Sequence, residues 1–149
     1  EDVLDEEPAE EPDEDDSEED AEEAARVALG NSLTDAMART LAVVSRWARQ
    51  KTPGSFVNHI DNRLAELAAA PFQARIGDSL AVYVALRGGS GDEIAEKVTR
   101  RWLETVKIVL NATFESTPAD VLRAAVEASC DQLKNEIDVL WRTIDETCK

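Results

Sequence analysis

The chain has 149 residues, 32 of them Asp or Glu against 16 Lys or Arg, for a formal net charge of −16. That length suits one domain with a tail and is short for two separate cores. No apolar run approaches the roughly 18 residues of a membrane-spanning helix, and two cysteines are too few for a disulfide scaffold.

The charge is segregated. Residues 1–23 hold 16 carboxylates and no Lys or Arg, and residues 24–149 hold 16 carboxylates against 16 cations, so the second part is formally neutral. The chain therefore reads as an acidic arm over residues 1–23 joined to a charge-balanced domain over residues 24–149. Only Val3 and Leu4 are sizeable apolar groups in the first 20 residues. An arm so poor in apolar side chains is expected to be disordered, and its repelling carboxylates and Pro8 and Pro12 to keep it extended. The sequence starts at Glu1, as a processed product or an excised piece of a longer protein would.

No repeat of solenoid or propeller period is present, and helix signals follow one another. A short first helix is expected to run from the acidic arm to Gly30 and Asn31. Ser32 followed by Asp35 resembles a capping box, and Leu33, Met37, Leu41, Val44 and Trp47 recur at three- and four-residue spacing, which predicts a second helix to about Gln50. Residues 51–55 carry Pro53 and Gly54 and read as a loop. Ser55 would cap the next helix, whose stripe is Val57, Ile60, Leu64 and Leu67, with Pro71 ending it or starting its successor. From Phe72 the pattern is two-fold: Phe72, Ile76, Leu80 and Tyr83 or Val84 fit a helix, and Leu80, Val82, Val84 and Leu86 alternate like a strand. With no second strand to pair with, a helix to Arg87 is the expectation.

The glycines of residues 88–91 make the clearest internal break. Asp92 is expected to cap a long helix with the stripe Ile94, Val98, Trp102, Val106, Val109 and Thr113, running to about Phe114. Thr117, Pro118 and Asp120 then combine a capping hydroxyl, a proline at the first helical position and a carboxylate at the positive end of the dipole. The last helix begins there. Its stripe is Leu122, Val126, Cys130, Leu133, Ile137, Leu140, Ile144 and Cys148, with no Gly or Pro inside, so one helix of about 45 Å is expected. The fold class is all-α: a bundle of about five to six helices preceded by a disordered acidic arm.

Catalytic signals are weak. The single His59 lies near a helix start and reads as a surface or cap-satisfied imidazole, and no late histidine exists to serve as a haem ligand. Neither cysteine has a zinc-type spacing. No carboxylate pair or triad stands out, so the reading is of a non-enzyme with no catalytic residues, no cofactor and no metal. The glycines of residues 88–91 lack a Walker lysine and a GxGxxG spacing and read as a connector. Arg46 beside Trp47, Arg101 beside Trp102, and Trp141 beside Arg142 suit core packing better than base stacking, and no nucleic acid is expected. Asn111-Ala112-Thr113 is a formal glycosylation sequon inside an expected helix, and Ser17 lies in a setting acidophilic kinases accept.

Two functions follow as expectations. In the first, the chain is a binding or assembly module. Its acidic arm engages basic protein surfaces or provides solubility, and its domain meets a protein partner or a second copy through Leu133, Ile137, Leu140, Ile144 and Cys148 of the last helix, whose stripe runs on to the end of the chain. In the second, a helical bundle carries a small apolar ligand between its helices. Cys130 and Cys148 stand about 27 Å apart on one face of an unbroken helix, too far for a bond that needs Cα atoms within about 7 Å. Free thiols, a bridge between chains, or an intrachain bridge across a break near Asn135 all remain open.

Overall fold

A computed structural model describes the backbone of residues 14–148 and the side chains of residues 19–148. It is all-α, with no strand among the described residues. The elements are α1 (Glu14–Gln50), α2 (Pro53–Asn62), α3 (Leu64–Arg87), α4 (Gly91–Ser116), a 3₁₀ turn (Ala119–Val121), α5 (Leu122–Leu133) and α6 (Ile137–Thr147). Residues 1–13 of the expected arm lie outside the described residues, and residues 14–23 carry helical backbone continuous with the domain.

The helix expected to end at Gly30 does not end there. Ala25, Leu29, Leu33, Met37, Leu41, Val44 and Trp47 form one buried stripe along α1, each at most 8 % exposed. Burial of both halves against the same neighbours outweighs the roughly 1 kcal/mol that a helical glycine costs. Ser32 and Asp35, which resemble a capping box, lie mid-helix. The Ser32 and Ser79 hydroxyls share a hydrogen bond of 2.8 Å, and Asp35 accepts from Arg39 at 3.2 Å and Arg75 at 3.0 Å.

Thr52, not Ser55, caps α2: its hydroxyl accepts from the Ser55 backbone N–H at 3.3 Å, with Pro53 at the first position. The buried face is Phe56 and Ile60; Val57 is only half-buried, and Leu67 beyond the break is 44 % exposed. The break falls at Arg63, and α3 runs straight through Pro71. Pro71 sits on the exposed side, where water can take up the carbonyl its missing N–H leaves free. Within α3, Leu80, Tyr83 and Val84 are buried while Val82 and Leu86 are about half exposed, a helical and not an alternating pattern. Gly88 ends it with φ 83°, donating to the Val84 carbonyl at 2.7 Å, as the left-handed position after a helix demands.

Side-chain partners fix the topology. Ser32 meets Ser79, and Arg26 meets Tyr83, so α1 and α3 are antiparallel. Gly91 approaches Ala81, so α4 turns back along α3. Ser45 meets Cys130, and Gly30 faces Trp141, so α5 and α6 run together antiparallel to α1. The result is an up-down-up-down bundle in which the fourth position is an interrupted helix. α2 closes the end where α1 and α4 finish, with Trp47 edge-on to His59 at 5.0 Å and Phe56 edge-on to Phe114 at 5.2 Å. Trp102, fully buried, stacks on Phe72 at 6.2 Å between α4 and α3, and its indole N–H has no partner.

The last helix is not continuous. Thr117 and Pro118 do mark its approach, but a 3₁₀ turn intervenes and the α-helix starts at Leu122 without a side-chain cap. It breaks again at residues 134–136, where Asn135 donates to Gln132 and Glu136 to Leu133, three residues back. This overwound turn joins α5 to α6 without reversing the chain. It leaves Leu133, Leu140 and Ile144 fully buried and Cys148 6 % exposed.

Candidate functional site

Two features combine polar chemistry with a defined geometry. The first lies at the end of the bundle where α1 enters. Tyr83 of α3 is fully buried. Its hydroxyl accepts from Arg26 of α1 at 2.8 Å and from Arg87 of α3 at 2.7 Å, and donates to Asp145 of α6 at 3.2 Å. Both guanidinium groups also stand 3.6 Å from Asp145, and Arg87 stands 3.6 Å from Glu22. The Arg26 guanidinium lies 4.1 Å from the centre of the Trp141 ring, and Trp141 meets Tyr83 edge-on at 5.8 Å.

Burial pushes the Tyr83 phenol above its ordinary value, as does the Asp145 carboxylate; Arg26 and Arg87 pull the other way. The phenol therefore stays protonated and its three hydrogen bonds are complementary: two charged donors in, one proton out to a carboxylate. Every capacity of the hydroxyl is used within the chain. The cluster ties α1, α3 and α6 together.

The second feature is a groove of about 400 Å³ between α2, α3 and α4. Ile60, Leu64 and Leu103 form its floor, and Asp61, Glu96, Arg100, Glu104 and Lys107 stand at its rim. Glu96 and Arg100 pair across one helical turn at 3.4 Å, and Lys107 donates to the Asp61 carbonyl at 3.3 Å. The rim is mixed in charge and the floor apolar.

The residues expected in an interface lie elsewhere. Leu133, Leu140, Ile144 and Cys148 are core, and Ile137 is half-buried against it, so the stripe of the last helix is covered by the chain's own fold. The expectation that this face lacks cover is thus corrected. It assumed a straight helix outrunning the domain, and the turn at residues 134–136 instead lays α6 against α4, with Trp141 and Asp145 reaching α1.

Both cysteines are free and buried. Cys130 sits at the level of Ser45, whose hydroxyl is 3.9 Å from its sulfur, while Asp145, three residues before Cys148, sits at the level of Arg26. Those levels are 19 residues apart along α1, about 28 Å at 1.5 Å per residue, so the break does not bring the thiols together. Burial raises both thiols above their ordinary value, opposed by Ser45 at Cys130 and by Arg87 at Cys148.

The remaining candidates are local. His59 Nδ1 stands 3.2 Å from the Ser55 carbonyl one turn back, a satisfied surface imidazole. Asn111, inside α4, donates across to the Asp61 carboxylate of α2 at 3.1 Å. Trp47 and Trp102 are core, and Trp141 is packed against it. Ser17 falls among residues whose side chains are not described. Among the described residues, no group of three or more His, Cys, Asp or Glu is placed to hold a metal ion. The Tyr83 cluster was missed by sequence reasoning. Its one local sign is Arg87, four residues beyond a tyrosine on the core stripe; nothing links positions 26, 83 and 145 in sequence.

No protein family, curated protein or solved structure matches this chain.

Proposed function

We propose that the protein is a non-catalytic binding module, with the acidic N-terminal segment as its ligand-engaging element and the helical bundle as its mount. The observation that carries this reading is the segregation of charge. Sixteen carboxylates without a cation occupy residues 1–23, and the remainder of the chain is formally neutral. A run of like charge attracts Lys- and Arg-rich surfaces over a Debye length and needs no fixed pocket.

The continuity of α1 supports the same reading. Among the residues whose side chains are described, the first buried one is Ala25, and the helical backbone begins eleven residues earlier at Glu14, about 16 Å along the axis. The eight Asp and Glu residues of positions 14–23 ride on that stretch. Carboxylates near a helix N-terminus also complement its dipole, so the same residues favour the helix that carries them.

Poly-lysine is a suitable basic probe. Labelled poly-lysine should bind the protein at about 0.01 M ionic strength and weaken by more than tenfold towards about 1 M, where the Debye length shrinks from about 30 Å to about 3 Å. A full-length variant with the Asp and Glu of residues 1–18 replaced by Asn and Gln should lose the binding. Equal binding by that variant would sink the proposal.

The groove over Ile60, Leu64 and Leu103 supports a second reading, a site for a small apolar ligand. An environment-sensitive apolar dye that binds the native protein, and is lost in Leu103→Glu, would favour it. A dye that ignores the folded protein would remove it.

A further inference from the structure

The outer face of α3 is apolar along most of its length. Between Leu67 and Leu86 the helix carries two charged residues, Arg75 and Asp78, whereas α4 carries eight between Asp92 and Lys107. Leu67 is 44 % exposed, Val82 57 % and Leu86 47 %, while α1 and α4 each turn only one large apolar side chain outward among the described residues, Val27 and Ile108. Ala70, Ala74, Ala81 and Ala85 are exposed as well. A surface helix ordinarily sets an apolar stripe against a polar face. The core takes Phe72, Ile76, Leu80 and Tyr83 from one side of α3, so the chain's own fold does not account for the apolar residues on the other.

At about 3.6 residues per turn, Leu67, Ala70, Ala74, Asp78, Ala81 and Ala85 fall within about 80° of arc and form one outward seam. Pro71, Arg75, Val82 and Leu86 follow on the flank towards α1, where Arg75 donates to Asp35 at 3.0 Å. The alanines keep the seam low, so a second helix laid on it can approach closely.

Charge selects the occupant. The face holds one charge of each sign, three residues apart, and offers no excess to a basic or an acidic partner. It does match itself turned end for end. Two α3 helices crossing antiparallel near Ile76 set Ala70 opposite Ala81, Leu67 opposite Ala85, and Arg75 beside Asp78 of the other copy, each twice over. A two-fold axis normal to the helices keeps the α1-side flanks of both copies on one side, so the opposite charges meet. A parallel pair would set Arg75 against Arg75 and Asp78 against Asp78.

We propose that the outer face of α3 is the interface of a two-fold homodimer, in which α3 packs antiparallel on α3 of a second copy. This stands apart from the reading of the acidic segment. Each chain carries −16, so salt that screens the repulsion between copies should strengthen the dimer, the opposite of its effect on poly-lysine binding.

Sedimentation of the full chain at about 0.15 M and about 1 M ionic strength tests this, with protein from about 1 μM to about 1 mM, the range in which weak specific pairs dissociate. The average mass should climb with concentration from one chain to two and stop there, and should do so at lower concentration in the higher salt. Ala74→Glu puts a charge at the centre of the seam from an exposed position, and should keep the mass of a single chain throughout. Asp78→Lys sets a cation beside Arg75 of the other copy, and Arg75→Glu an anion beside Asp78. Each of these alone should dimerise about tenfold or more weakly than the two mixed, because in the mixture both contacts are again of opposite sign. Circular dichroism establishes that every variant is folded. A single chain at every concentration for the unaltered protein overturns the proposal, as does a dimer that survives Ala74→Glu, or growth beyond two chains. A mixture that pairs no more tightly than its components overturns the antiparallel contact and the proposal with it.

Discussion

Gly30 of α1 faces the indole of Trp141 in α6, with Trp141 Cζ2 3.6 Å from the point where a Cβ would stand. That distance is ordinary van der Waals contact. The glycine is not required by a close approach, and its backbone is helical. Gly30→Ala should therefore raise stability by about 0.5–1 kcal/mol, through the lower entropy of the unfolded chain and added contact with Trp141. Gly77 in α3 has open space around the same position and should respond alike. Chemical denaturation of the two variants checks this, and a loss of stability at Gly30 would mean that α6 lies closer to α1 than described.

The chain's single tyrosine makes its buried hydroxyl directly observable. Burial and the neighbouring Asp145 raise the Tyr83 phenol above its usual 10.0. In an unfolded chain the group ionises near its ordinary value. The stability it lends is thus fully present below pH 10 and lost as pH rises through the higher folded value. Absorbance of tyrosinate should show a midpoint above 10 in the native protein and near 10 in denaturant. Tyr83→Phe should cost about 1–3 kcal/mol at neutral pH, because Arg26, Arg87 and Asp145 lose the group that links them. It should also flatten part of the fall in stability above pH 10.

How much of this was legible in the sequence depends on how local each feature is. The stripe of α1 from Leu33 to Trp47 and the end of α3 at Gly88 rest on residues within one or two turns, and both were found. At residues 79–87 a strand would need a partner the chain lacks, and that argument is global but simple. The continuity of α1 through Gly30 and Asn31 was not legible. It is settled by burial of Ala25 and Leu29 against distant helices, while Ser32 and Asp35 offered a competing local cap. The break at Lys134, Asn135 and Glu136 contains no glycine or proline, and it goes with the packing of α6 on α4, a distant element in sequence. The Tyr83 cluster gathers side chains from positions 22 to 145, a relation no spacing rule contains.

Leu140 and Ile144 were expected to face a partner and are fully buried within the chain. Replacing both with Glu should therefore unfold the domain and not merely separate copies of it, since two unpaired charges would each enter an apolar core at a cost of several kcal/mol. Leu140→Ala alone should cost about 2–5 kcal/mol. Circular dichroism and sedimentation together decide: a folded single chain bearing both glutamates would show that these side chains are not core.

The cysteines give the last expectation. Cys130 is 4 % exposed and Cys148 6 %, and burial raises both thiols, so little reactive thiolate should be available near neutral pH. Their levels along α1 differ by about 28 Å, far beyond the roughly 7 Å between Cα atoms that a disulfide accepts. A thiol reagent added to the native protein at pH 7 should react slowly, at a rate that follows local opening, and both thiols should react at once in denaturant. Cys148 should be the faster of the two, because α6 ends at Thr147 and the last turn of a helix frays, whereas Cys130 is held in the middle of the bundle beside Ser45. Fragment masses without reductant should show neither an intrachain nor an interchain bond. Recovery of a linked Cys130–Cys148 fragment would require α6 to fold back on α5, and would overturn the placement of α6 against α4 and beside Arg26 on which the Tyr83 cluster depends.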